Sequence, residues 1–162
     1  VLALFGEASQ ALKMQETVYE NLMEGINDER LWGEQVVVNE SDEVMGFNDR
    51  LLIGATKIPL KALVEKIHSL GGLVVASHID RESFSIISQL GFIPDDLGLD
   101  GIEVTRREGL SAYPGYPKVT SSDAHRLDDI GRRSTAFFLR GPSFEEVVMA
   151  FRAAEGRSLE CN

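Results

Sequence analysis

Cysteine is nearly absent from this 162-residue chain: Cys161, one position from the end, is the only one. No internal disulfide can form, which fits a reducing compartment and makes the cytoplasm the expected location. Basic residues are also scarce, with 16 Lys and Arg against 26 Asp and Glu and a formal charge of -10. That balance argues against a protein that coats polyanions through a basic face. It does not argue against phosphate-ester chemistry in which metal ions supply the local positive charge. Long apolar runs are missing too. The opening Val1-Leu2-Ala3-Leu4-Phe5 is too short for a membrane span or a signal-peptide core, and no basic segment precedes it. With no Met at position 1, this run reads as a buried strand cut from a longer protein.

What is present describes an ordinary globular domain. A 43% hydrophobic content, 26% charged residues and 5 prolines place the chain away from disorder. Its length suits one domain, spanning 1–162, since domains commonly run to roughly 100–200 residues.

Helices and strands alternate. Leu12, Gln15, Val18, Tyr19 and Leu22 have helical spacing within 8–23. Two β-rich runs, 34–39 and 43–48, flank Glu40-Ser41-Asp42 and predict an inserted hairpin. Leu60, Leu63, Val64, Ile67 and Leu70 form one stripe of a helix that begins at Pro59 and stops at Gly71-Gly72. The continuous apolar run 73–77 predicts a strand buried on both faces, followed by a helix over 83–90. Strands are expected at 101–104, 119–121 and 135–139. A final helix is expected from Ser143, whose partner Glu146 completes a capping box, to Gly156, with the chain ending there or just beyond. This order predicts an α/β fold with functional groups at the C-terminal ends of parallel strands.

Three of the candidate ligands fall at such ends. His78 follows the strand 73–77, and Asp123 and His125 follow 119–121. In extended backbone, residues two apart point to one side, so an Asp-x-His pair can converge on one ion. Two imidazoles and a carboxylate suit zinc, manganese or iron better than calcium. The competing reading of each is an ordinary hydrogen-bonded residue. His68, near the C-terminal end of its helix and off the apolar stripe, is read as structural or solvent-facing. Arg81 and the pair Arg106-Arg107 could grip a substrate phosphate through their guanidinium forks, or could be a solvated surface. Glu103 alternates with Ile102 and Val104 and is expected to support the site or pair elsewhere, while Trp32 and the hairpin read as packing or oligomer surface.

Gly71-Gly72-Leu73-Val74-Val75-Ala76-Ser77-His78 resembles the third metal motif of PHP domains, the polymerase and histidinol phosphatase family. Ser121-Ser122-Asp123-Ala124-His125 resembles their fourth, and is the more specific of the two. The resemblance implies a distorted, TIM-like barrel of seven strands, here the C-terminal portion of one. It also implies two or three divalent ions of zinc, manganese or iron, with His78, Asp123 and His125 among their ligands. The implied reaction is hydrolysis of a phosphate ester by a metal-bound hydroxide. The family's opening His-x-His motif is missing, since no His precedes His68, so this chain alone is expected to be inactive. The expected substrate is a small phosphorylated molecule. A noncatalytic PHP-like module and a nuclease cutting phosphodiesters remain as alternatives, the latter disfavoured by the acidic charge.

Overall fold

The computed structural model describes residues 1–162, the side chain of Arg107 apart. Its centre is the apolar run before His78. β4 (Leu73–Ala76) is buried along its whole length, because side chains alternate across a strand and here both faces are covered. Val74 packs with Met14 of α1 (Ala8–Glu20) and with Val64 and Ile67 of α3 (Leu60–Ser69). Leu73 and Val75 face the other way, onto Phe151 of α6 (Phe144–Phe151).

The Gly-Gly turn before β4 combines two requirements. Gly71 adopts φ +78°, the left-handed conformation that closes α3. At Gly72 a Cβ would lie 2.5 Å from the Phe5 ring and 2.8 Å from Ile67, so only glycine lets the chain pass there.

β4 lies within a four-stranded sheet of order β1-β4-β5-β6, formed with β1 (Leu2–Leu4), β5 (Gly101–Glu103) and β6 (Lys118–Val119). β4, β5 and β6 run parallel, and β1 is antiparallel to β4. The α/β class holds, but among the described residues the strands form an open sheet and no closed barrel. β1 is not the buried strand expected at the start. It is an edge with one neighbour, and Leu2 remains 42% exposed.

The expected hairpin forms as β2 (Val36–Val38) and β3 (Val44–Phe47), exposed on nearly all positions, with short α2 (Glu29–Trp32) before it. α4 (Ile86–Leu90) and α5 (Arg107–Ser111) follow β4 and β5. The chain does not end at the last helix: β8 (Ser158–Cys161) pairs antiparallel with β7 (Thr135–Phe138). This second hairpin meets the main sheet through side chains, Leu159 packing with Val119 against the Leu73, Val75 and Phe151 cluster. The Thr135 hydroxyl accepts from the Thr120 amide and donates to the Thr120 carbonyl, each at 2.8 Å. Among the described residues, no helix is long and apolar enough to cross a membrane.

Candidate functional site

The parallel strands deliver three loops to one edge of the sheet. After β4 the chain turns sharply at His78, φ +30°, and after β6 it turns at Asp123, φ +46°. Left-handed backbone at a non-glycine residue costs about 1–3 kcal/mol and persists where surrounding contacts fix it. Those contacts are visible. Glu103, only 4% exposed at the end of β5, accepts from the His78 amide at 2.9 Å and from the Ser121 hydroxyl. One buried carboxylate therefore clamps both loops that carry the predicted ligands, the supporting role open to Glu103 in the sequence.

Asp80 performs the corresponding task between β4 and β5. It accepts from the Thr105 amide and hydroxyl, each at 2.9 Å, and from the Arg106 amide at 2.7 Å. Burial pushes its carboxyl upward, but these donors outweigh burial and hold it below the usual range. Arg133 closes the set. Its guanidinium donates to the carbonyls of Thr105 at 2.6 Å, Ser121 at 3.2 Å and Ser122 at 3.5 Å.

Between these loops lies a polar cleft of about 440 Å³ lined by Arg81, Ser122, Asp123, Asp129, Arg132 and Arg133. Arg81, the predicted phosphate binder, and Asp123, a predicted ligand, meet there at 2.5 Å through Asp123 Oδ2. The Arg81 hydrogen bond, set against the opposing effect of burial, holds the Asp123 carboxyl below its ordinary value, and the charge of Arg81 acts in the same direction. An adjoining cleft of about 590 Å³ shares Arg132 and Arg133 with the first and adds Arg106, Thr105 and Thr120. The Arg107 side chain, expected beside Arg106, lies outside the described residues.

The ligand geometry differs from the extended Asp-x-His pair read from the sequence. Asp123 sits in a left-handed turn, and the His125 ring approaches the Asp123 carbonyl through Nδ1 at 2.8 Å. A carbonyl can only accept, so Nδ1 carries the proton and Nε2 of the neutral ring keeps its lone pair. His78 Nδ1 is buried without a hydrogen-bond partner. Among the described residues, no three His, Cys, Asp or Glu side chains come together as a metal-holding group. The donor types suit a transition metal and His78 Nδ1 lacks a partner, so the residues fit as an incomplete donor set. His68 is structural: its Nε2 lies 2.8 Å from Asp100 Oδ2.

Sequence reasoning passed over Asp80, Asp129, Arg132 and Arg133. The adjacent Arg132-Arg133 pair just before β7 was the available signal, of the same kind that singled out Arg106-Arg107.

Comparison with known proteins bears on the fourth motif and the segments on either side of it. Residues 109–155 match the family model described as PHP-associated. The resemblance to PHP domains is borne out. A curated relative, the uncharacterized protein YqxK of Bacillus subtilis strain 168, is 27% identical over 111 residues, 62% of this chain and 29% of that protein. The fold is similar to that of the lesion-specific endonuclease Q of Pyrococcus furiosus, with a TM-score of 0.68 at 18% identity over 97% of this chain and 36% of the endonuclease. A second structure, endonuclease Q with a 27-mer duplex carrying an abasic lesion at its active site, gives the same TM-score and identity over 96% of this chain and 36% of that one. The chain thus spans about a third of the proteins it matches. The expectation of a small phosphorylated substrate is corrected here, because the similar structure holds duplex DNA.

Proposed function

We propose that this chain is the part of a PHP-type, metal-dependent hydrolase that carries the third and fourth metal motifs, and that the whole protein acts on phosphodiesters of nucleic acid. The observation that carries this reading is the convergence of Arg81 and Asp123 at 2.5 Å in a polar cleft at the ends of parallel strands. The likeness in fold to an endonuclease bound to lesion-bearing duplex supports the substrate class. The open sheet reads as an arc of a distorted, TIM-like barrel.

His78, Asp123 and His125 would hold divalent metal, His78 through its unpartnered nitrogen, Asp123 through Oδ1 and His125 through Nε2. When bound, a zinc, manganese or iron ion supplies Lewis acidity and neutralises charge on the phosphoryl oxygens. The chain's own residues do the rest. Arg81 presents a planar fork matched to a phosphate, and Glu103 fixes the two loops so that the donors keep their places.

Metal content by inductively coupled plasma mass spectrometry tests the ligand assignment. Transition metal bound by the native chain and lost in the Asp123→Ala, His125→Ala double variant, with circular dichroism unchanged, is the expected result. Equal metal in both would reject the assignment. No metal in either would favour a noncatalytic, PHP-like nucleic-acid module, a reading supported by the lack of a three-donor group among the described residues.

A further inference from the structure

The cleft beside the Arg81–Asp123 pair has no part in that assignment, yet three arginines, Arg106, Arg132 and Arg133, line it alongside Thr105, Thr120 and the apolar Val104 and Leu110. It is the larger of the two at about 590 Å³ and is joined to the first through the shared Arg132 and Arg133. Their commitments differ. Arg133 is fixed by three backbone carbonyls and forms a rigid positive wall. Arg132 pairs with Asp129 at 2.8 Å and donates to the Asp128 carbonyl. Arg106 is exposed; its amide is held by Asp80, and among the described residues no carboxylate lies within ion-pair distance of its guanidinium. On a chain of net charge -10, an arginine left unpaired beside two others is a charge without a partner in its own surface.

We infer that Arg106 and the adjoining cleft form a second phosphate subsite, which grips a non-scissile phosphate of a polynucleotide while the Arg81–Asp123 cleft addresses the phosphate to be cut. This inference rests on the nucleic-acid reading above. A substrate with one phosphate can fill one cleft only; a polynucleotide spans both, so the second subsite selects chains over isolated esters. Asp80 sets the position of Arg106 by bonding its amide, and the contact itself belongs to the guanidinium.

The test is binding of the full chain to a fluorescein-labelled 27-mer duplex with one abasic site, by anisotropy at several salt concentrations. Each phosphate neutralised releases counterion, so log affinity falls with log salt by about 0.9 per contact. Arg106→Ala is expected to weaken binding about tenfold at low salt and to reduce the salt slope by about one contact. Arg106→Lys should keep the slope. Competition by bis(p-nitrophenyl) phosphate, a diester with a single phosphate, should be equal in native and Arg106→Ala protein, which also shows that the first cleft is intact. Native protein that binds the duplex with an Arg106→Ala affinity and slope unchanged overturns the subsite and leaves the nucleic-acid reading standing. Native protein with no affinity for the duplex overturns both.

Discussion

Asp80 illustrates how much of this site depends on a residue that does no chemistry. Both its oxygens face N–H and O–H donors from Thr105 and Arg106, so an amide in its place would turn one donor group toward another. Asp80→Asn is expected to cost roughly 1–3 kcal/mol, the range for stranding a buried hydrogen-bonding group, measured by urea unfolding. The same change should weaken duplex binding, because the Arg106 backbone loses its anchor. Nothing in the sequence separated Asp80 from the other acidic residues: its partners lie 25 and 26 positions away, and no spacing rule links two loops that meet only after the strands have paired. His78, Asp123 and Arg81 were legible because position after a strand, or motif, marked them. The left-handed turns at His78 and Asp123 were not, since their conformations are imposed by Glu103 and Arg133 across the sheet.

At the scale of elements, the best-determined junction lies away from the clefts. Arg157 at the entry to β8, 6% exposed, forks onto Glu146 of α6 at 2.5 and 2.9 Å, while the Arg140 amide donates to the same carboxylate at 2.7 Å. The Arg157 hydrogen bonds pull the Glu146 carboxyl down to about 2 from a usual value of 4.5. A carboxyl depressed by folding stabilises the native state above its unfolded pKa and loses that contribution as pH falls through its folded value. Native protein should therefore lose thermal stability between about pH 4.5 and 2, whereas Glu146→Gln, already less stable at neutral pH, should change less across that window. Melting curves followed by circular dichroism at a series of pH values check both.

Next to this junction lies an element that sequence reasoning passed over. Ser158-Leu159-Glu160-Cys161 alternates polar and apolar side chains, a strand signal only four residues long, and it pairs with β7 beside the Arg157–Glu146 contact. Elsewhere the periodic elements were legible and their ends less so. The helix expected from Ser83 starts only at Ile86, because Phe84 adopts φ +58° and the Ser85 hydroxyl caps the Ser88 amide. The strand expected over 119–121 stops at Val119, since Ser121 and Ser122 turn toward Glu103 and Arg133.

Across the whole molecule, the alternating pattern gave the class and the order of strands but not the closure of a barrel, which depends on partners that periodicity cannot name. The sheet ends at β6, and β7 and β8 are joined to it by side chains: the Thr135 hydroxyl, Cys161 Sγ at 3.3 Å from the Lys118 carbonyl, Leu159 packed near Val119, and Arg133 just ahead of β7. A backbone ladder would have spread that junction over many bonds. The result is a line along which the molecule can part: local opening should release β7 and β8 while β4 and β5, buried among the helices, stay closed. Amide hydrogens of Thr135–Phe138 are expected to exchange with solvent faster than those of Leu73–Ala76, as read by mass spectrometry or nuclear magnetic resonance. Full release of the hairpin would also have to break the bonds that hold Arg133, just ahead of β7, to the Thr105, Ser121 and Ser122 carbonyls, so both clefts would dissolve in an event that spares most of the core. Recognition in this chain would then fail before folding does, and the temperature at which it stops binding would report the seam and not the melting of the protein.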